Sequence, residues 1–206
     1  MTHCFSRRSF LKGSAAAAAA LTSPLLPADA AFSEAENGLF SPVLALCQTQ
    51  YGPVKGREGE NGLLCWYGIP YGAAPTGESR WTAPQEPARW LTVRDCTGPA
   101  PAAYQYTTFP LGTEDCLTLD VYSSSDAKKR PVLVYLHGSA ATGSSLELPG
   151  CELVRDAGCV FVALNYRLGL FGWNCLPALT SGSDATGSFA LLDIARALDW
   201  VRDNIR

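Results

Sequence analysis

At 206 residues, with 47% hydrophobic and 17% charged side chains, the chain has the make-up of one globular domain or part of one. A net charge of −3 at pH 7 argues against a nucleic-acid partner, which demands a basic stripe. Eight cysteines, only two histidines and no Cys-x-x-Cys pair argue against a zinc site and for an oxidising compartment.

The N-terminus reads as a targeting segment. Ser6-Arg7-Arg8-Ser9-Phe10-Leu11-Lys12, an apolar run from Ala15 to Leu26 and Ala28-Asp29-Ala30 look like a twin-arginine export signal over residues 1–30. The run is too short and too rich in alanine to span a bilayer, and no later stretch approaches roughly 18 apolar residues. The expectation is a chain exported to the periplasm or cell exterior, with no membrane contact once the signal is removed. Cys4 leaves with the signal. Cys47, Cys65, Cys96, Cys116, Cys151, Cys159 and Cys175 remain, an odd number, so one thiol stays single or has its partner elsewhere.

Residues 31–42 read as a mobile leader. Val43 to Leu46 is an apolar run, Gly52-Pro53 a breaker, Asn61-Gly62 a hairpin turn and Leu63 to Tyr67 a strand. Pro75 to Pro101, with Arg80-Trp81, Pro84, Pro87 and Trp90, predicts a long irregular coat. Leu117 to Tyr122 is a strand and Ser123 to Arg130 a charged loop. Val132 to Leu136 reads as a strand buried on both faces, the pattern of a central parallel strand. It ends in His137-Gly138 and a run of small residues to Ser145. Leu146 to Ala157 predicts a short helix interrupted at Pro149-Gly150, and Val160 to Leu164 a second buried strand. Ser181 to Gly187 is a glycine–serine loop. The last segment predicts an amphipathic helix with Leu191, Ile194, Ala195, Leu198, Val201 and Ile205 on one face. This order is the opening half of an α/β sheet. Such sheets carry their chemistry beyond the carboxyl ends of the strands, where the loop after Leu136 can aim bare backbone N–H groups at a substrate oxygen.

Several blocks then resemble one family. They are Gly68-Ile69-Pro70-Tyr71; Arg80-Trp81 with Pro84 and Trp90; Glu114-Asp115-Cys116-Leu117 running on to Val121-Tyr122; and His137-Gly138. Asn165-Tyr166-Arg167-Leu168-Gly169 with Phe171-Gly172 follows, and then Leu191, Asp193 and Ala197-Leu198 through Trp200-Val201 to Asn204-Ile205. In this order they resemble the type B carboxylesterases, the cholinesterase-like branch of the α/β-hydrolases, over residues 43–206. The resemblance implies an α/β fold: the N-terminal half of an α/β-hydrolase sheet, truncated before the strand that carries the nucleophile.

It also implies roles. The family attacks an ester carbonyl with a serine in Gly-x-Ser-x-Gly, using a histidine as base and an acid to orient it. No Gly-x-Ser-x-Gly occurs here, and the only histidines are His3 and His137, so nucleophile, base and acid are all expected to be absent from this chain. The resemblance gives the oxyanion-hole donors as the backbone N–H groups of Ser139 and Ala140, where the family has glycines, and makes His137 and Gly138 the support of that loop. Ala141 stands where the family tends to an aromatic. Arg80 with Glu114, and Arg167 with Asp193, are implied as structural ion pairs. Cys116 matches one end of a family disulfide whose other end, near Pro101, is not cysteine here, which leaves Cys96 as its candidate partner. No cofactor and no metal are implied. The implied partner is a small neutral ester in the full-length protein; the Cys96–Cys116 loop has no tryptophan to favour a choline-like cation. Oligomeric state is not set. The alternative is a non-catalytic cholinesterase-like binding module.

Overall fold

The computed structural model describes residues 40–126, 129–148, 150–174, 176 and 187–205. The expected signal, the leader up to residue 39 and the glycine–serine loop up to residue 186 lie outside the described residues. The strands are β1 (Phe40–Gln48), β2 (Pro53–Gly59), β3 (Leu63–Pro70), β4 (Arg94–Asp95), β5 (Gln105–Tyr106), β6 (Pro110–Leu111), β7 (Thr118–Ser124), β8 (Val132–Leu136) and β9 (Val160–Leu164). The helices are α1 (Gly150–Ala157), α2 (Gly169–Gly172) and α3 (Phe189–Asn204). β1 begins inside the span expected to be leader. The expected helix from Leu146 forms only from Gly150 onward.

One mixed sheet dominates, in the order β1-β2-β3-β7-β9-β8, with β4 alongside β2. Every step from β1 to β9 is antiparallel, and β9 to β8 is parallel. The β2–β3 hairpin turns where Asn61 and Gly62 take φ of +57° and +71°. Asn-Gly is the pair that reaches this region at least cost, which is why it marks tight hairpins.

Alternation along the strands sends successive side chains to opposite faces and so makes two cores. Cys65, Tyr122, Phe161 and Ala163 meet Val154 of α1 on one face. Trp66, Val121, Val162 and Leu164 meet Ala190, Ala197, Trp200 and Val201 of α3 on the other. β9, flanked by β7 and β8, is buried at all five positions, as its unbroken apolar run requires.

Two expectations fail here. β8 is parallel, but it lies at the sheet edge, with Val132, Leu133 and Leu136 exposed by 38%, 46% and 43%. Its composition suits two neighbours, and among the described residues it has one. In α3 the buried stripe is Phe189, Ala190, Asp193, Ala197, Trp200, Val201 and Asn204, while Leu191 and Leu198 face outward. The helix is rotated from the expected face because Asp193 must point inward to meet Arg167.

Cys96 and Cys116 form no disulfide; both are buried thiols. Cys96 sits beside Tyr67 of β3, whose N–H donates to its carbonyl, whereas Cys116 precedes Leu117, whose carbonyl accepts from Tyr71. Four strand residues separate those anchors by on the order of 13 Å, about twice the Cα–Cα reach of a disulfide. Burial pushes each thiol up to about 12, so neither is a reactive thiolate. Cys47, by contrast, is disulfide-bonded.

Candidate functional site

Because β8 and β9 run parallel in register, with Leu136 opposite Leu164, the loops that leave them stand side by side. His137, the first residue beyond β8, is buried and stacks on Tyr166, with ring centroids 4.3 Å apart and planes 8° from parallel. The Tyr166 hydroxyl donates to the His137 carbonyl at 2.6 Å and lies 3.3 Å from His137 Nδ1. Nδ1 is also 3.3 Å from the Gly138 carbonyl. With the hydroxyl proton engaged, these contacts assign the proton to Nδ1. Nε2 is buried with no partner among the described residues. Burial holds the imidazole below its ordinary 6.5, and it is neutral at pH 7. Its ring-nitrogen contacts among the described residues are the Tyr166 phenol and the Gly138 carbonyl, with the Glu147 carboxylate acting on it only through space.

Ser139 follows at φ +73°, a region few residues with a Cβ adopt. Its own hydroxyl steadies the turn, accepting from the N–H groups of Ala141 at 3.1 Å and Thr142 at 3.3 Å. Gly138, Ser139 and Ala140 are exposed. Among the described residues, the N–H groups of Ser139 and Ala140 have no acceptor. The Ala140 carbonyl accepts from Gly169 N–H at 2.7 Å, which ties the loop to the start of α2.

The far end of the loop is held more tightly. A Cβ on Gly143 would stand 2.3 Å from His137 Nδ1, and its φ is +139°, so glycine alone fits against the ring. Buried Gln105 grips that glycine from both sides: Gly143 N–H donates to Oε1 at 2.9 Å, and Nε2 donates to the Gly143 carbonyl at 2.8 Å. Two residues on, Ser145 N–H donates to Asn165 Oδ1 at 2.8 Å, and Asn165 Nδ2 donates to Ser145 Oγ at 3.1 Å. Beneath this lies Asp120 of β7, wholly buried, its Oδ1 accepting from Gly68 N–H at 2.8 Å. Burial pushes its carboxyl from 3.8 up to about 6, against the nearby Ser145 hydroxyl and Gly68 N–H, which favour the charged form. Oδ2 has no partner at hydrogen-bond geometry among the described residues.

The two arginines fasten the surroundings. Arg80 Nε and Nη2 donate to both oxygens of Glu114, at 2.5 and 2.9 Å. Arg167 Nε and Nη2 donate to Asp193 at 2.9 and 2.6 Å, fully buried, while its Nη1 donates to the Arg80 and Thr82 carbonyls, both at 2.9 Å. The coat, the end of β9 and α3 therefore meet on one guanidinium. A small cleft opens beside it, lined by Pro75, Tyr104, Glu114, Cys116, Leu168 and Phe171. No group of three or more metal-ligating side chains gathers among the described residues.

Gln105, Asp120 and Tyr166 have no functional role in the sequence reading. Tyr166 belongs to a resembling block but carries no chemistry of its own to flag it. Gln105 has no local signal at all, because its partner Gly143 is 38 residues away.

A model described as the carboxylesterase family matches residues 44–206, and one for the twin-arginine translocation pathway signal sequence matches residues 4–24. The chain is 41% identical over 170 residues to the para-nitrobenzyl esterase of Bacillus subtilis, covering 76% of this chain and 34% of that protein. It is 35% identical over 171 residues to the fumonisin B1 esterase of Sphingopyxis macrogoltabida, covering 77% and 31%. The solved carboxylesterase of Geobacillus stearothermophilus superposes with a TM-score of 0.71 at 36% identity, over 78% of this chain and 34% of that one. The chain thus spans about a third of the length of the curated relatives it matches. Its signal sends it out of the cytoplasm by the twin-arginine route, to the periplasm or cell exterior.

Proposed function

The chain belongs to the carboxylesterase family, and from that premise we propose that it is the N-terminal part of an exported carboxylic ester hydrolase. Its contribution to the chemistry is the oxyanion hole. The observation that carries this reading is the loop at Ser139 and Ala140, whose exposed N–H groups have no acceptor among the described residues. Such donors act when an ester carbonyl becomes a tetrahedral oxyanion. They are already oriented, so no reorganisation is needed as charge develops, and one donor is worth about 2.7–4 kcal/mol in the transition state. Ser139 holds the positive φ that a glycine would hold, and its hydroxyl binds the next two amides in compensation. The stacked His137 ring and the Gln105–Gly143 contact keep the loop from collapsing onto the sheet. The substrate class is a neutral carboxylic ester.

In this reading the nucleophile, general base and acid are not in this chain, so residues 1–206 alone do not turn over ester. The apolar edge of β8 supports the same reading: its exposed leucines suit a further parallel strand. The alternative, a non-catalytic binding module, draws its support from Ser139 and Ala140 at positions where the family has glycine.

The test is the coding DNA on the far side of the Arg206 codon, followed by p-nitrophenyl butyrate hydrolysis by the whole product. The expected result is a strand leading into Gly-x-Ser-x-Gly, with turnover abolished by a serine-directed phosphonate and none from residues 1–206 alone. Phosphonate-sensitive turnover by residues 1–206 would overturn the division of labour. Absence of the elbow in every frame would leave the binding module.

A further inference from the structure

Cys65 on β3 and Cys151 in the first turn of α1 are both thiols, with Sγ atoms 3.9 Å apart. Neither lies in a block that carries the family resemblance, and neither enters the ester chemistry. They bridge two layers of the fold, the sheet and the helix packed on it, at residues 86 apart in sequence. Cys65 is wholly buried beside Tyr122, Phe161 and Val154, while Cys151 is half-buried and in contact with solvent. The third thiol of this cluster, Cys159, is directed away, donating to the Leu153 carbonyl at 3.6 Å. The two cysteines face each other, and only one can be reached.

We propose that Cys65 and Cys151 are a dithiol in the cytoplasm and become a disulfide that staples α1 to β3 once the chain is exported. The twin-arginine signal supplies the change of compartment, from one that keeps thiols reduced to one that oxidises them. The oxidant is a disulfide: oxidised glutathione or a thiol–disulfide oxidase of the exported compartment. Cys151 acts first, because it is the thiol in contact with solvent. Its thiolate attacks one sulfur of the oxidant, forming a mixed disulfide and expelling the other sulfur as a thiolate. Cys65 then loses its proton to that thiolate and attacks Cys151 Sγ, expelling the second oxidant thiol. Two protein thiols are oxidised, one oxidant disulfide is reduced to two thiols, and the protein ends two hydrogens lighter. Burial raises the Cys65 thiol well above its ordinary range, with Cys151 adding to the rise, so Cys65 is the resolving and not the initiating sulfur. The remaining gap to the ~2.05 Å of a sulfur–sulfur bond is shared between two side chains on facing elements.

The experiment quenches with acid the protein as the cell exports it, alkylates it with N-ethylmaleimide in denaturant without reductant, and maps the cysteine peptides by mass spectrometry. The expected result is the Cys65 peptide joined to the Cys151 peptide, with Cys96, Cys116 and Cys159 alkylated. In the same chain retained inside by Arg7→Lys and Arg8→Lys, Cys65 and Cys151 are both alkylated. Cys151→Ser should leave Cys65 fully alkylatable, and the wild-type map holds whether or not that variant folds. Full alkylation of both cysteines in the exported protein overturns the proposal. So does a Cys151–Cys159 link, a stable mixed disulfide on Cys151 that Cys65 never resolves, or a link already present in the retained chain.

Discussion

Asp120 is a carboxyl group with no solvent exposure, and among the described residues it has one firm hydrogen bond and no cation among its hydrogen-bond partners. Burial sets its titration at about 6, against an ordinary 3.8. Between about pH 4 and 6 the folded chain therefore holds a proton that the unfolded chain has released. Stability falls as pH rises through that window, by on the order of 3 kcal/mol, and the deficit persists above it. Asp120→Asn removes the group, so urea melts should show the variant about equal to wild type at pH 4 and more stable at pH 7 by up to that amount. Parallel stability curves for the two proteins would exclude Asp120 as the source. Burial raises the Asp193 carboxyl too, but there Arg167 opposes the rise by meeting it in bidentate geometry. Its removal strands a buried cation, and Asp193→Ala should cost about 3–5 kcal/mol in the same melts. The separations of 34 and 26 residues within the two arginine–carboxylate pairs explain why spacing alone says nothing of them. Only the resemblance brings those residues together before the structure does.

The loop after β8 is an element without regular hydrogen bonding, and its shape is imposed from outside by Gln105, Asn165 and His137. Gln105→Leu keeps the bulk but deletes both contacts to Gly143, leaving a buried amide N–H and carbonyl without partners. The expected outcome is faster hydrogen exchange across residues 138–145, with exchange in β9 unchanged; equal acceleration in β9 would mean that the variant loosened the whole fold. Gly143→Ala meets the His137 ring and a positive φ together, so a loss of roughly 1–3 kcal/mol in thermal or urea melts is expected. Elements defined by their own residues were legible in the sequence. β9 is five apolar residues between breakers, and the Asn61-Gly62 turn carries its geometry in its side chains. α3 offers two apolar stripes, one through Leu191 and Leu198 and one through Ala190, Ala197 and Trp200. Only the distant Arg167 decides which of them turns inward. The loop tethers are invisible for the same reason: each lives in a pair whose other half is remote.

At the scale of the molecule, the sheet ends among the described residues in β1 on one side and in β8 on the other. β1 pairs antiparallel with β2 alone, and β8 pairs with β9 alone and exposes Val132, Leu133 and Leu136 at its edge. Such an edge is a template for a second strand, wanted or not. Leu133→Lys places a charge on it without entering either core. The expectation is a slower rise in light scattering by residues 1–206 on warming, with the melting midpoint almost unchanged. Scattering that grows at the wild-type rate would locate the sticky surface elsewhere. β8 and β9 read alike in sequence and differ in burial because composition records what a strand is suited to, while its neighbours settle what it receives.

The single guanidinium of Arg167 holds a history as well as a junction. Its carboxylate partner is 26 residues away, whereas the two coat carbonyls it also binds lie 87 and 85 residues away. Shorter loops close at smaller entropic cost, and a buried cation is tolerable only after its counter-charge arrives. Strand and helix are therefore expected to join before the coat settles over this guanidinium.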